Sequence, residues 1–147
     1  MTMLPGITKN ADGIENLSWN VLGQTYVPKQ RSESSFSWHA TFPAGAFVPP
    51  HVHPMQDEFV YVLEGQLDFW LDGKEHKATP GDLARLSMGI PHGIFNKSGQ
   101  TVKCFFWVSP TRKLFELFSA INNVADPAEV VRIAAKHEID FLPPPNN

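Results

Sequence analysis

Two histidines separated by a single residue, His51 and His53, are the strongest chemical signal in this sequence. On an extended chain, alternate side chains face the same way, so both imidazoles can approach one metal ion. Glu58 follows a turn and opens the next predicted strand, which returns a carboxylate towards the same face. His92 also comes directly after a turn. Three imidazoles and one carboxylate would form a mixed nitrogen and oxygen site that suits a divalent transition metal ion: Mn, Fe, Co, Ni, Cu or Zn.

The spacing of the histidines also has a second interpretation. An exposed His-x-His pair beside an acidic patch would show the same pattern without holding a metal. Which interpretation holds depends on the secondary structure that carries these side chains. The composition limits what that secondary structure can be.

The composition favours one compact domain with few helices. The chain has 147 residues, a formal net charge of −3 and 42% hydrophobic residues, which is enough for a core. Its 13 prolines disfavour long helices. It has no basic surface that would favour nucleic acid and no apolar run near the ~20 residues of a membrane span. A single cysteine, Cys104, excludes an internal disulfide and fits a cytoplasmic location.

Short stretches of alternating apolar and polar residues predict antiparallel strands in the middle of the chain. The clearest strands cover residues 36–42, 59–63, 66–71 and 102–108, with turns such as Asp-Gly and Pro-Gly between them. Helical periodicity begins only after Pro110, where apolar residues recur every three or four positions. This pattern predicts an all-β, mainly antiparallel sandwich or barrel with two C-terminal α-helices packed outside it.

The same pattern predicts a single domain over residues 1–147. Its parts are an N-terminal arm (1–33), a barrel (about 34–109), two C-terminal helices (about 110–138) and an extended tail (139–147).

Two segments around the histidines resemble the conserved motifs of the cupin superfamily. Residues 45–65 fit the first motif, Gly-x5-His-x-His-x3,4-Glu-x6-Gly, at every defined position. Residues 81–96 fit the second, Gly-x5-Pro-x-Gly-x2-His-x3-Asn, except that Ser87 replaces its proline. That proline position shapes a turn and carries no ligand, so the substitution leaves the metal assignment standing. The remaining features are similar to those of the quercetinase-like monocupins.

This resemblance implies a jelly-roll β-barrel with one metal ion inside, bound by His51, His53, Glu58 and His92. It implies a metal-dependent oxidoreductase of dioxygenase type, acting with O2 on an aromatic or enolic small molecule. Glu58 would then be both a ligand and the base that takes a substrate proton. The resemblance also implies a homodimer. Two alternatives remain: a non-redox metallo-cupin, either an isomerase or a cyclase, and a non-catalytic cupin that binds a small molecule.

Four further residues are candidates around the metal. Strand alternation places Trp38 and Phe106 in the barrel interior, where we expect them to contact the substrate. Gln56 and Asn96 are expected to hydrogen-bond the metal ligands and so fix their orientation.

Overall fold

Two antiparallel sheets face each other in the computed structural model, which describes residues 3–143. Six strands form one sheet in the order β1-β2-β3-β10-β5-β8, and five form the other in the order β11-β4-β9-β6-β7. This is the predicted jelly-roll architecture, mainly antiparallel with two helices. The strands are β1 (Trp19–Val21), β2 (Gln24–Arg31), β3 (Phe36–Phe42), β4 (Phe47–Val52), β5 (Asp57–Glu64), β6 (Leu67–Leu71), β7 (Lys74–Ala78), β8 (Leu83–Leu86), β9 (His92–Phe95), β10 (Val102–Ser109) and β11 (Asp140–Phe141).

Strand alternation builds the core on the inner face of the six-stranded sheet. Phe106 of β10 lies opposite Trp38 on one neighbouring strand and opposite Val60 on the other. All three side chains are buried because successive residues of a strand point to opposite faces and these three share the inner one. Trp38 and Phe106, which strand alternation placed in the interior, are therefore confirmed as core.

β4 delivers His51 to the interior although two of its six residues are prolines. Pro49 and Pro50 have no backbone N–H to donate to a neighbouring strand. The pairing of β4 with β9 is accordingly irregular between Val48 and His51, and it resumes where His51 lies opposite His92. The prolines thus occupy the irregular part of the ladder, and the histidines of two strands meet where pairing resumes.

Two strands precede residue 34, where the alternation pattern placed the start of the barrel. β1 and β2 form a hairpin whose turn residues, Leu22 and Gly23, both have positive φ angles of 53° and 85°. This is the backbone of a type I′ turn, which Asn-Gly or Asp-Gly normally signals. Because leucine occupies the first turn position, the sequence lacks the usual residues of this turn. The N-terminal arm is therefore in part a component of the sheet, and β2 pairs along β3.

Two C-terminal helices pack as the periodicity predicted, α1 at Leu114–Ile121 and α2 at Pro127–Ala135. The Asp126 side chain caps α2 by accepting a hydrogen bond from the Ala128 backbone N–H. Among residues 3–143, neither helix is long and apolar enough to cross a membrane. β11 continues the five-stranded sheet beyond α2 and pairs with β4, so the predicted tail begins as a strand. Residues 144–147 of that tail lie outside the described part of the chain.

Candidate metal centre

Three strands bring the four predicted ligands together between the two sheets. His51 lies near the end of β4, Glu58 near the start of β5 and His92 at the start of β9, while His53 directly follows β4. One nitrogen or oxygen atom from each side chain lies within 4.8 Å of the others. All four residues are at most 4% exposed, so the cluster lies in the interior and is not a solvated surface pair.

Hydrogen bonds to the three imidazoles fix which nitrogen faces the centre of the cluster. The Nδ1 atom of His51 lies 2.8 Å from the carbonyl oxygen of Pro49. That of His53 lies 2.7 Å from Oε1 of Gln56, and that of His92 lies 3.3 Å from the carbonyl oxygen of Ile90. Because each neighbour is an acceptor, each Nδ1 must carry the proton and donate. In the neutral ring, each Nε2 is therefore the nitrogen that keeps a lone pair.

These lone pairs converge in a way that suits a divalent cation. Nε2 of His51 lies 3.1 Å from Nε2 of His53, which in turn lies 2.8 Å from a carboxylate oxygen of Glu58. Nε2 of His92 is buried and has no hydrogen-bond partner among the described residues. A proton on Nε2 of His53 satisfies only one of these contacts. A metal ion would accept the lone pairs of the three Nε2 atoms and of the Glu58 carboxylate at once.

The spacing supports the same conclusion. Two ligands about 2.1 Å from a tetrahedral metal ion lie about 3.4 Å apart, which is close to the 3.1 Å and 2.8 Å of these contacts. The residues present therefore fit a divalent metal ion, and their mixture of imidazole and carboxylate suits the first-row transition metals.

Burial and the mutual contacts set the charges of the cluster. Burial, reinforced by the neighbouring histidines, lowers the pKa of His51 well below its usual value. Burial also lowers the pKa of His92, to about 4, so both imidazoles are neutral at pH 7. Burial opposes the charge of His53 too, but the adjacent Glu58 carboxylate outweighs it and raises the pKa of His53. Burial likewise disfavours the Glu58 carboxylate, but His53 outweighs this and lowers the pKa of Glu58. Glu58 is thus ionised at neutral pH.

The cluster borders a cavity of about 50 Å³, whose walls come from both sheets and from α1. Trp38 and Phe106 line it, at the positions where strand alternation placed them. Tyr26 lines it as well and was missed, because β2 was assigned to the N-terminal arm. The apolar face of α1 closes the cavity with Leu114, Leu117, Phe118 and Ile121. At about 10–15 Å³ for each water, the cavity holds only a few molecules.

Of the two residues expected to orient the ligands, the structure places only Gln56 against the cluster. Its Oε1 accepts from His53, and its Nε2 donates to the carbonyl oxygens of Pro110 and Thr111. The expectation for Asn96 was wrong. The Asn96 amide nitrogen donates to the carbonyl oxygens of Phe42, Pro43 and Gln100, and its oxygen accepts from Ser98. It joins the end of β9 to neighbouring loops.

Replacing Gln56 with leucine should lower the affinity for a divalent metal by about 10–100-fold, because His53 loses the acceptor that fixes its orientation. Metal titration in competition with a chromophoric chelator measures the effect. The matched change Gln100→Leu, at an exposed position away from the cluster, should leave the affinity within twofold. Equal losses in the two variants would refute the orienting role of Gln56.

Comparison with known protein families agrees with this geometry. Residues 38–109 match the family described as "Cupin domain", a segment that contains all four cluster residues. Residues 38–109 therefore form a cupin domain.

Two curated relatives show the range of activities in related proteins. Quercetin 2,3-dioxygenase from Bacillus subtilis (strain 168) is 37% identical over 87 residues, which cover 58% of this chain and 25% of that protein. The tetracenomycin polyketide synthase protein TcmJ from Streptomyces glaucescens is 29% identical over 77 residues, which cover 52% of each protein. The chain therefore spans between a quarter and about half of the length of these relatives.

Solved structures show the same fold. An RmlC-like cupin from Shewanella frigidimarina superposes with a TM-score of 0.68 at 19% identity, covering 78% of this chain and 99% of that one. A sugar phosphate isomerase of the cupin superfamily from Silicibacter pomeroyi superposes with a TM-score of 0.57 at 26% identity, covering 72% and 70%. The similarity to the RmlC-like cupin supports the fold alone. The sugar phosphate isomerase is slightly more similar to this chain in sequence.

Proposed function

We propose that this protein is a metal-dependent oxidoreductase of dioxygenase type that acts with O2 on a small aromatic or enolic molecule. The observation that carries the proposal is the position of the three Nε2 lone pairs and the ionised Glu58 beside an apolar, aromatic cavity. The similarity to a quercetin 2,3-dioxygenase over 58% of the chain supports the oxygenase chemistry in particular.

The residues of the cluster and the cavity would have separate roles in metal binding, proton transfer and substrate binding. The imidazoles of His51, His53 and His92 would hold the metal ion, which supplies a positive charge that polarises a bound substrate oxygen. Glu58, ionised and buried, would take the proton of a substrate hydroxyl. The rings of Trp38 and Phe106 provide flat apolar surfaces and keep water from the reacting atoms. These roles suit an aromatic enol better than a charged sugar.

Oxygen uptake tests the oxygenase proposal directly. Protein prepared without a tag and reconstituted separately with Mn, Fe, Co, Ni, Cu or Zn should consume O2 with at least one flavonol or smaller enol. The expected result is uptake that depends on a redox-active metal and disappears in the His51→Ala variant. An absence of uptake across all metals and the whole panel would contradict it.

Non-redox chemistry is the second candidate. The sugar phosphate isomerase superposes over 72% of this chain, and a polyketide synthase protein is among the curated relatives. Isomerisation or cyclisation would use the same metal site and Glu58 without consuming oxygen. Product formation from an enol in the zinc-loaded protein under nitrogen would favour this candidate. Saturable binding without any product would favour a small-molecule-binding cupin.

We also propose that the protein acts in the cytoplasm.

We further propose that two copies associate through the outer face of the six-stranded sheet. The outer face carries Tyr61, Leu63 and Leu83, each about two-fifths exposed. Tyr61 lies opposite Leu83 on one side and opposite Phe105 on the other. A two-fold dimer pairs a patch with its own copy, and an apolar patch without charges can be buried in this way.

Replacing Tyr61 with glutamate should shift the protein from dimer to monomer, because the change puts two carboxylates into one apolar interface. Sedimentation velocity measures the shift. The control Phe47→Glu lies on the other sheet at a position that is 49% exposed, and it should leave the dimer intact. A wild-type monomer, or a Tyr61→Glu protein that stays dimeric, would refute this interface.

A further inference from the structure

Trp38 contains a buried hydrogen-bond donor that the fold does not use. The residue is 1% exposed, and its indole Nε1 has no hydrogen-bond partner among residues 3–143. Buried donors in folded proteins nearly always have an acceptor, so an exception needs an explanation. Nε2 of His92, another buried atom without a partner, belongs to the metal cluster, and a bound metal ion would explain it. No element of the proposed metal site explains Trp38.

The surroundings of the indole are aromatic on several sides. Phe106 stacks on it with ring centroids 5.1 Å apart, and Phe36 lies 4.9 Å away at a shallow angle. Phe118 of α1 meets it at 75°, with centroids 5.0 Å apart. These rings hold the indole in one orientation and provide no oxygen acceptor. Any acceptor must come from a molecule that enters the cavity.

The other hydrogen-bond donors of the cavity wall are already in use. The Nδ1–H groups of His51 and His53 donate to Pro49 and Gln56. The hydroxyl of Tyr26 donates to Oε1 of Gln24 at 2.9 Å. Gln24 is itself fixed, because its Nε2 donates to two backbone carbonyl oxygens. Within the described residues that line the cavity, the indole N–H of Trp38 is therefore the uncommitted donor.

Strand register places this donor on the same inner face as the metal cluster. Trp38 lies opposite Phe106, which lies opposite Val60, and Glu58 is two residues from Val60 on the same side of β5. The backbones of β3 and β5 are two strand spacings apart, about 10 Å. Trp38, Phe106 and Glu58 all line the same cavity. A ligand bound at the cluster can thus extend across Phe106 towards the indole.

We propose that the indole N–H of Trp38 donates a hydrogen bond to an oxygen atom of the substrate and thereby selects substrates with an acceptor at that end. This inference rests on the proposed metal-dependent function. The ligand it implies has one hydroxyl at the cluster, beside Glu58, and a separate acceptor oxygen such as a carbonyl. Because the cavity holds only a few waters, binding such a ligand requires the side chains that line the cavity to rearrange.

A matched pair of probes tests this role without requiring turnover. 4-Acetylcatechol and 4-ethylcatechol both offer hydroxyls to a metal, but only the first has a distal acceptor oxygen. The zinc-loaded wild type should bind the acetyl compound about tenfold more tightly than the ethyl compound. In Trp38→Phe, which keeps a ring but lacks the N–H, the preference should fall by about the same factor. Trp70→Phe, on the other sheet, should keep the wild-type preference.

Indole N–H resonances of ¹⁵N-labelled wild type provide a second measurement that does not depend on how the variant folds. The Trp38 signal should move downfield on adding 4-acetylcatechol and not on adding 4-ethylcatechol. Equal preference in the wild type and Trp38→Phe, an unmoved signal, or no binding of either probe would overturn the inference. If the protein bound the two probes with the expected preference but consumed no oxygen, the oxygenase proposal alone would be contradicted.

Discussion

The His53→Ala variant is expected to lose more than about a hundredfold in affinity for a divalent metal. His53 lies at the centre of the cluster, because its Nε2 contacts both the Nε2 of His51 and the carboxylate of Glu58. Its removal deletes one ligand and leaves Gln56 without the ring it orients. The effect therefore exceeds the 10–100-fold loss that is typical when an orienting partner is removed.

Metal content after dialysis against a chelator, measured by mass spectrometry, reports this loss. His76→Ala is the matched control, because His76 is exposed on β7 and far from the cluster in the strand order. It should retain metal as the wild type does. A His53→Ala protein that keeps the full metal content would show that the cluster is not the binding site.

The Glu58→Gln variant is expected to lower turnover by about 10²–10⁴-fold, the usual contribution of a general base. Glutamine has nearly the same shape, and its carbonyl oxygen can still approach the metal, but it takes no proton. In the wild type the contact with His53 outweighs burial and lowers the pKa of Glu58, so the base is ionised at pH 7. Oxygen uptake with the best substrate of the panel, at equal metal content, measures the effect.

Glu64→Gln is the control for this prediction, because Glu64 ends the same strand but its side chain is 66% exposed. It should turn over at the wild-type rate. Turnover of Glu58→Gln within a fewfold of the wild type would remove Glu58 from the mechanism and leave it as a metal ligand.

The parts of the fold that sequence predicted were those in which one face of an element is apolar. β3 and β10 alternate cleanly and were located within one residue, and α1 was located by its recurring apolar positions. β4 gave no such signal, because Pro49 and Pro50 interrupt its pattern and are tolerated only at an irregularity in the pairing. β1 and β2 were missed for a similar local reason, since their hairpin turns at Leu22 and Gly23 without the usual residues.

The site was predictable where residue type and spacing carry the chemistry. The four candidate ligands come from two short segments, and the structure brings these four side chains into one buried group. The cavity walls were harder to predict. Tyr26 and Phe118 reach the cavity from β2 and α1, far away in the chain, and they look like ordinary core residues in the sequence. Asn96 was misassigned because its position next to a ligand strand does not reveal which way its amide turns.

X-ray absorption of the zinc-loaded, tag-free protein tests the central claim most directly. One zinc ion per chain is expected, with nitrogen and oxygen neighbours at about 2.0–2.2 Å and the scattering pattern of three imidazoles. The His51→Ala variant should lose one imidazole from that pattern or lose the ion. Sub-stoichiometric metal with no imidazole scattering, equal in the wild type and in His51→Ala, would contradict the assignment of the metal centre.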